Sequence, residues 1–211
     1  MLGTGAKNKL TMRYRWISLL ILLFGAFLTI SAYAQGDPGC ERIEKAKSDD
    51  RAALIDEIIK SEYAKPNLQG RLGAGLVCLA TLGDEEQNKV FLELLSKASA
   101  ISRSHTAWFI AVELKVKPSE EVFGALRNLI GWTKPDGDRQ DATHWSREAL
   151  IKWSGSSPTA GSYVIDALKE ADACFGADLY QAAKKLDLPE ARVVIVDFEK
   201  KLKEWGSASC D

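Results

Sequence analysis

An all-helical domain is predicted by three features of this sequence. Apolar residues recur at intervals of three and four along most of the chain, which is the spacing of one helix face. The six prolines fall between these segments, where helices begin or end, and not inside them. A single short run, Val193-Val194-Ile195-Val196, is rich in β-branched residues, and the helical spacing that follows it favours a helix there too. We therefore expect an all-α array of about eight or nine antiparallel helices.

The first 34 residues have the pattern of a signal peptide. A basic leader without acidic residues precedes an apolar run over residues 17–30, and Ala32-Tyr33-Ala34 is typical of a cleavage site. As a helix the apolar run would reach about 21 Å, short of the roughly 30 Å hydrocarbon core of a membrane. We expect cleavage after Ala34 and an exported product, periplasmic or secreted. An uncleaved membrane anchor is the alternative.

The remaining chain is expected to form one domain, over residues 51–211, after an N-terminal lead-in over residues 35–50. Without the leader it has 24 Lys and Arg against 29 Asp and Glu, a formal charge of −5. Nucleic acids and anionic membranes bind clustered cations, so this balance argues against both as partners. We expect the partner to be another protein, and we expect no cofactor.

Helical stripes define the first half of the domain. Asp49-Asp50 suits an N-cap for the first stripe, Pro66 opens the second, and Gly83-Asp84 separates the second from the third. The residues on these three stripes are Leu54, Ile55, Ile58 and Ile59; Leu72, Leu76, Leu79 and Ala80; and Phe91, Leu94, Leu95 and Ala98. A helix over residues 102–116 is apolar on all sides at residues 107–112, which predicts the central buried helix.

Proline starts mark three helices of the second half. Pro118, Pro158 and Pro189 each stand near the start of a periodic segment, a position that tolerates proline. A polar loop over residues 133–140 precedes another helix from about Asp141, and a shorter helix lies before Pro189. The stripes of these five helices, in order, are Val122, Leu126, Leu129 and Ile130; Trp145, Leu150 and Trp153; Val164, Ile165 and Leu168; Leu179, Ala182, Ala183 and Leu186; and Val194, Phe198, Leu202 and Trp205.

Paired helices recur every thirty to forty residues, at about 51–82, 84–116, 118–154 and 158–187, which is the period range of helical solenoids. Leu82-Gly83-Asp84, followed by Val90, Leu94 and Leu95, resembles the opening of the second helix of a HEAT-type repeat. The resemblance covers about fourteen residues. It implies a curved scaffold that binds proteins on one face and catalyses nothing. An irregular HEAT-like solenoid and a plain helical bundle both fit the helix count.

The four cysteines, Cys40, Cys78, Cys174 and Cys210, are predicted to form disulfides. No two lie in a CxxC pattern, and an even number in an exported chain is typical of disulfide bonding. Three pairings are open. We favour Cys40 with Cys78 and Cys174 with Cys210, because each would join neighbouring parts of a layered helical fold.

Candidate chemistry is sparse. His105 shares a helical face with neighbouring apolar residues, close to Glu113, so an acid–base pair is conceivable, but a structural histidine fits better because no nucleophile motif accompanies it. His144 opens a helix beside Trp145 and has no partner motif either.

Closely spaced aspartates at 136, 138 and 141 fail the EF-hand pattern, and a turn followed by a helix cap explains them. We expect neither catalytic residues nor a metal site.

Three tryptophans, Trp132, Trp145 and Trp153, flank the polar loop and form a candidate interface, with core packing as the alternative. The favoured function is an exported, non-catalytic module that binds another protein. An inhibitor or immunity-type protein acting on an exported enzyme or toxin is the second hypothesis. A hydrolase that uses His105 or His144 is the third.

Overall fold

The all-helical prediction is confirmed by the computed structural model, which describes residues 38–65, 75–130, 140–174 and 176–206. No strand occurs in these ranges. The chain divides into two compact units, residues 1–45 and 46–211. The described part of the first unit is helix α1 (Pro38–Lys45), which lies in the predicted lead-in and in which Cys40 and Ile43 are buried.

The second unit contains eight α-helices among its described residues. They are α2 (Arg51–Tyr63), α3 (Asp84–Lys97), α4 (Ala100–Val112), α5 (Glu120–Leu129), α6 (Gln140–Trp153), α7 (Pro158–Glu170), α8 (Ala177–Ala183) and α9 (Pro189–Trp205). Short 3₁₀ helices span Ser48–Asp50 and Val77–Thr81. Within the described ranges, no helix is both long and apolar enough to cross a membrane.

These eight helices form two layers. Helices α2, α4, α6 and α8 pack in series in one layer, and α3, α5, α7 and α9 pack in series in the other. The layers meet where α3 packs on α4, α5 on α6 and α7 on α8, and these are the pairs predicted over residues 84–116, 118–154 and 158–187. The contact between α4 and α6 is the most extensive of all, so α4 is central, as its composition predicts.

Helix starts follow local sequence rules. The hydroxyls of Ser99, Ser119 and Ser157 each accept a hydrogen bond from the backbone N–H three residues later, at α4, α5 and α7. Pro158 and Pro189 occupy the first turns of α7 and α9, as predicted. Asp50 occupies the N-cap position of α2 without a side-chain capping bond, so the position is right and the expected contact is not made.

The core lies between the layers. It is built from the predicted stripes, with Phe91 of α3, Ile110 of α4 and Leu150 of α6 almost fully buried. The rings of Phe91 and Phe109 pack with centroids 6.1 Å apart. Two predictions are corrected. The stripe opened by Pro66 is predicted to be a helix, but in the described residues it is a 3₁₀ helix over Val77–Thr81, and residues 66–74 lie outside those that the structure describes. Helix α4 ends at Val112 and not at residue 116. Val112 and Leu114 are 45% and 70% exposed, because the chain turns to an extended conformation at Glu113.

Several helices end without glycine. The residues that follow α3, α4 and α7, namely Ala98, Glu113 and Ala171, are extended and do not adopt a left-handed conformation. A glycine in that conformation would allow the chain to reverse and satisfy the last carbonyls of the helix. These carbonyls therefore need donors from elsewhere in the molecule.

Cationic side chains supply those donors. Arg103 of α4 donates to the carbonyls of Ser96 and Ala98 at the end of α3. Lys152 of α6 donates to the carbonyls of Ile110 and Glu113, at 3.2 and 2.7 Å, and the indole N–H of Trp153 donates to Ile110 at 3.1 Å. Lys201 of α9 donates to Lys169 and Ala171 at the end of α7, at 2.9 and 3.1 Å. Positive charge is favourable here because the helix dipole is negative at its C-terminus.

Removing one such donor should destabilise the fold. Lys152→Met keeps much of the apolar stem but leaves the carbonyls of Ile110 and Glu113 without their ammonium donor. We expect a loss of about 1–2 kcal/mol in the free energy of unfolding, measured by urea denaturation at neutral pH. Lys169→Met is the control, because Lys169 is exposed and pairs only with nearby Asp166; its effect should stay within about 0.5 kcal/mol. Equal losses in the two variants would contradict the capping role.

Candidate functional site

His105 is a buried partner of Tyr63, and not of Glu113. Its side chain in α4 is 3% exposed, and Nε2 lies 2.7 Å from the Tyr63 hydroxyl of α2. The two rings meet edge to face with centroids 4.9 Å apart. Glu113 follows the end of α4, eight residues and about 12 Å further along at the rise of a helix. Its carboxylate accepts a hydrogen bond from the backbone N–H of Lys115.

A hydrolase reading of His105 would require Tyr63 to move. Tyr63 is 54% exposed, and its hydroxyl already occupies Nε2 of the imidazole. His144, the second histidine of that hypothesis, is exposed on α6 and packs edge to face on Trp145, with ring centroids 4.8 Å apart. The two histidines thus occupy different helices and different environments.

Asp56 of α2 holds the N-terminus of α4. Its carboxylate accepts hydrogen bonds from the hydroxyls of Ser99 and Ser102, at 2.9 and 2.6 Å, and from the backbone N–H of Ser99. Lys60 pairs with its other oxygen at 2.7 Å. Partial burial raises the pKa of Asp56, but the hydrogen bonds from Lys60, Ser102 and Ser99 outweigh burial and lower the pKa from 3.8 to about 2. This network joins α2 to α4 and needs an ionised carboxylate.

Trp153 and Trp145 of the predicted tryptophan interface are both half-buried on α6. Trp153 caps α4 through its indole N–H, beside Lys152, whose amine lies 4.9 Å from the centre of the Trp153 ring. Burial lowers the pKa of Lys152, and the charge of Glu113 opposes this effect. Trp132, like the three aspartates of the polar loop, lies outside the residues whose side chains the structure describes.

The described cysteines are oxidised. Cys40, Cys78 and Cys174 are disulfide-bonded, which confirms the prediction for these three. Cys40 and Cys78 are both disulfide-bonded, as the favoured pairing of these two residues requires. Cys210 lies outside the described residues, so its pairing with Cys174 stays a prediction.

A shallow groove of about 360 Å³ lies between the ends of α7 and α9. Its charged groups already have partners within the fold: Lys201 caps α7, and Glu170 accepts a hydrogen bond from Arg127 at 3.0 Å. The groove is therefore explained by the packing of α9 on α7.

The outer side of α9 exposes two large apolar side chains. Val193 and Val196, one turn apart on this helix, are 65% and 63% exposed. Lys200 and Lys203 continue the same line at intervals of four and three, and both are exposed. We call these four residues the outer stripe. All four residues are exposed, while α9 packs on α7 and α8 through other residues.

The opposite side of α9 is firmly attached. Ala191, Val194 and Phe198 are buried, and the Phe198 ring packs so close to Gly176 that an added Cβ there would lie 2.5 Å from it. Glu199 accepts a hydrogen bond from the Tyr180 hydroxyl at 2.7 Å. The run of residues 193–196, ambiguous in the sequence, is therefore helical with two valines pointing outward.

Exposed valines in a helix are locally unfavourable. A β-branched side chain loses rotamer freedom in a helix, and valine costs about 0.6 kcal/mol relative to alanine. Val193 and Val196 gain little burial in return. Residues that break a local rule without a compensating contact are expected at functional sites. Sequence reasoning missed this surface, although both valines fall outside the predicted stripe of Val194, Phe198, Leu202 and Trp205.

The pH dependence of stability should reveal the Asp56 network. A depressed folded-state pKa adds stability that is fully present above the unfolded pKa of 3.8 and is lost as pH falls through about 2. With allowance for solvent screening, we expect Asp56→Asn to cost about 1–2 kcal/mol at pH 7 and much less at pH 2. Denaturant titrations at several pH values would measure this. Asp166→Asn, at a half-exposed site with Lys169, should change stability little at either pH. A penalty for Asp56→Asn that does not shrink on acidification would contradict the network.

Truncating the outer valines should stabilise the fold. For Val193→Ala combined with Val196→Ala we expect a gain of about 0.5–1 kcal/mol in the free energy of unfolding, because helix propensity rises and little buried area is lost. The matched control is Val194→Ala at a buried position of the same helix, which should lose about 1–3 kcal/mol. Urea denaturation measures both. Destabilisation by the outer pair would mean that the two valines pack within the folded chain.

Comparisons with protein-family models, with curated proteins and with solved structures each gave no match. The outer stripe of α9 is thus the candidate functional site on physical grounds alone.

Proposed function

We propose that this chain is an exported, non-catalytic module that binds another protein through the outer stripe of α9. The main support for this proposal is that Val193 and Val196 are exposed on a helix whose opposite side is packed against the fold. A bound partner would remove both valine side chains from water. This burial would supply a favourable free energy that the folding of the chain by itself does not provide.

The architecture supports this proposal. Among the described residues α9 packs on α7 and α8, and its outer stripe is exposed to solvent. Here α9 exposes two apolar residues beside charged ones, so its outer side is not a purely polar cap. Disulfide-bonded cysteines suit an oxidising compartment, in agreement with the predicted signal peptide.

Site-specific photocrosslinking in the exporting host tests the proposal. A benzophenone amino acid is introduced at position 196, and separately at position 162, where Ser162 is exposed on α7 as a control. We expect one dominant adduct from position 196 and none of the same mass from position 162. The adduct should be lost when Val193→Ser is added. Identical adducts from both positions, or none from position 196, would reject this surface as the binding site.

Once the partner is identified, its activity distinguishes a scaffold function from an inhibitor function. If the partner is an exported enzyme or toxin, its activity is assayed with the unmodified chain and with the Val193→Ser, Val196→Ser double variant. Inhibition that requires both valines would assign the inhibitor function. Binding without any change in activity would assign the scaffold function.

A further inference from the structure

The charges around Val193 and Val196 restrict what can bind to them. Along the outer stripe, the two valines are followed by two exposed lysines, Lys200 and Lys203, over about three turns. Arg192, also exposed, lies on one edge. The surface is therefore apolar at its N-terminal end and cationic at its C-terminal end.

The other charged groups of α9 do not cancel this pattern. Lys201 and Glu199 are engaged on the inner side, with α7 and with Tyr180. Glu190, Asp197 and Glu204 lie on the edge opposite Arg192. Lys200 approaches Glu204 at 3.8 Å, a pair in which both side chains are more than half exposed and which contributes little. The four positions of the stripe itself have two lysines and no acid, while Asp197 and Glu204 border it on one edge.

We infer that the partner contributes an amphipathic helix that is apolar over one turn and acidic over the next. This inference rests on the proposed function and adds the chemistry of the partner. Apolar residues of such a helix would cover Val193 and Val196, and its carboxylates would meet Lys200 and Lys203. Helices that pair in this way present residues at intervals of three and four, as the outer stripe does.

A second copy of this chain fits the same surface poorly. Two parallel copies of the stripe would set Lys200 against Lys200 and Lys203 against Lys203. Two antiparallel copies would set each valine against a lysine, so the ammonium groups would be desolvated without a counter-charge. In both arrangements the stripe of the second copy offers no carboxylate to the lysines. Charge complementarity therefore selects an acidic partner over self-association.

Two synthetic helical peptides test the inference with the oxidised full chain. Both have leucines at the positions that face Val193 and Val196; one has glutamates and the other lysines at the positions that face Lys200 and Lys203. We expect the acidic peptide to bind at least about tenfold more tightly by fluorescence anisotropy, and its affinity to fall as salt is raised. Equal affinity of the two peptides, or no binding of either, would overturn the inference.

Charge-reversal variants test whether Lys200 and Lys203 cause the preference for the acidic peptide. Lys200→Glu with Lys203→Glu should reverse the preference toward the basic peptide. Lys97→Glu with Lys117→Glu changes the net charge equally at exposed sites on other elements and should leave the preference intact. Val193→Ser with Val196→Ser should weaken the acidic peptide at least about tenfold. A preference unchanged by reversal of Lys200 and Lys203 would place the acidic peptide elsewhere and overturn the inference.

Failure of the inference is distinguishable from failure of the proposed function. A crosslink from position 196 to a partner segment that is neither helical nor acidic would retain protein binding and reject the acidic helix. Absence of any crosslink, even with peptide binding, would reject the proposed function. If sedimentation shows a dimer that Val196→Ser dissociates, the occupant is a second copy and the inference is overturned.

Discussion

The array depends on how its helices end. Where an α-helix stops in an extended residue, its last carbonyls point away from the helix with no backbone donor of their own. In this chain they are satisfied by Arg103, Lys152 and Lys201, side chains that come from another helix. Each cation therefore satisfies a helix end and fixes the position of a neighbour at the same time. Lys152 does so within one layer, between α6 and α4, and Lys201 within the other, between α9 and α7.

This dependence explains which parts of the fold could be predicted from the sequence. Helix starts use local signals, so Ser157-Pro158 and Pro189 mark α7 and α9 correctly. Helix ends here use partners that are distant along the chain, and no local pattern near Glu113 announces Lys152, thirty-nine residues away. The same reason accounts for the error at the end of α4. Apolar spacing continues to Val116, but the helix stops at Val112, and side chains of α6 cap its last carbonyls.

The candidate site, like the fold, could be predicted only in part from the sequence. His105 and Trp153 attract attention in the sequence because their side chains can do chemistry or form interfaces, yet both are used to join helices, His105 to Tyr63 and Trp153 to the Ile110 carbonyl. Val193 and Val196 attract none, since valine as a residue type is typical of a core. The structure gives their position meaning by placing Val194 and Phe198 inside. A helical projection of residues 189–205 contains this information, because the two valines lie opposite the predicted stripe.

The rigidity of the attachment gives the outer stripe its value as a surface. Lys201 holds α9 to the end of α7, and the close fit of Phe198 over Gly176 leaves the helix no space to roll. The valines and lysines are therefore held in register before any partner arrives. Binding to a preformed helix avoids the loss of backbone entropy that accompanies folding on contact. The helix-propensity cost of two exposed β-branched residues, about 1 kcal/mol in all, is small compared with that saving, so the proposed contact would need only a modest apolar area.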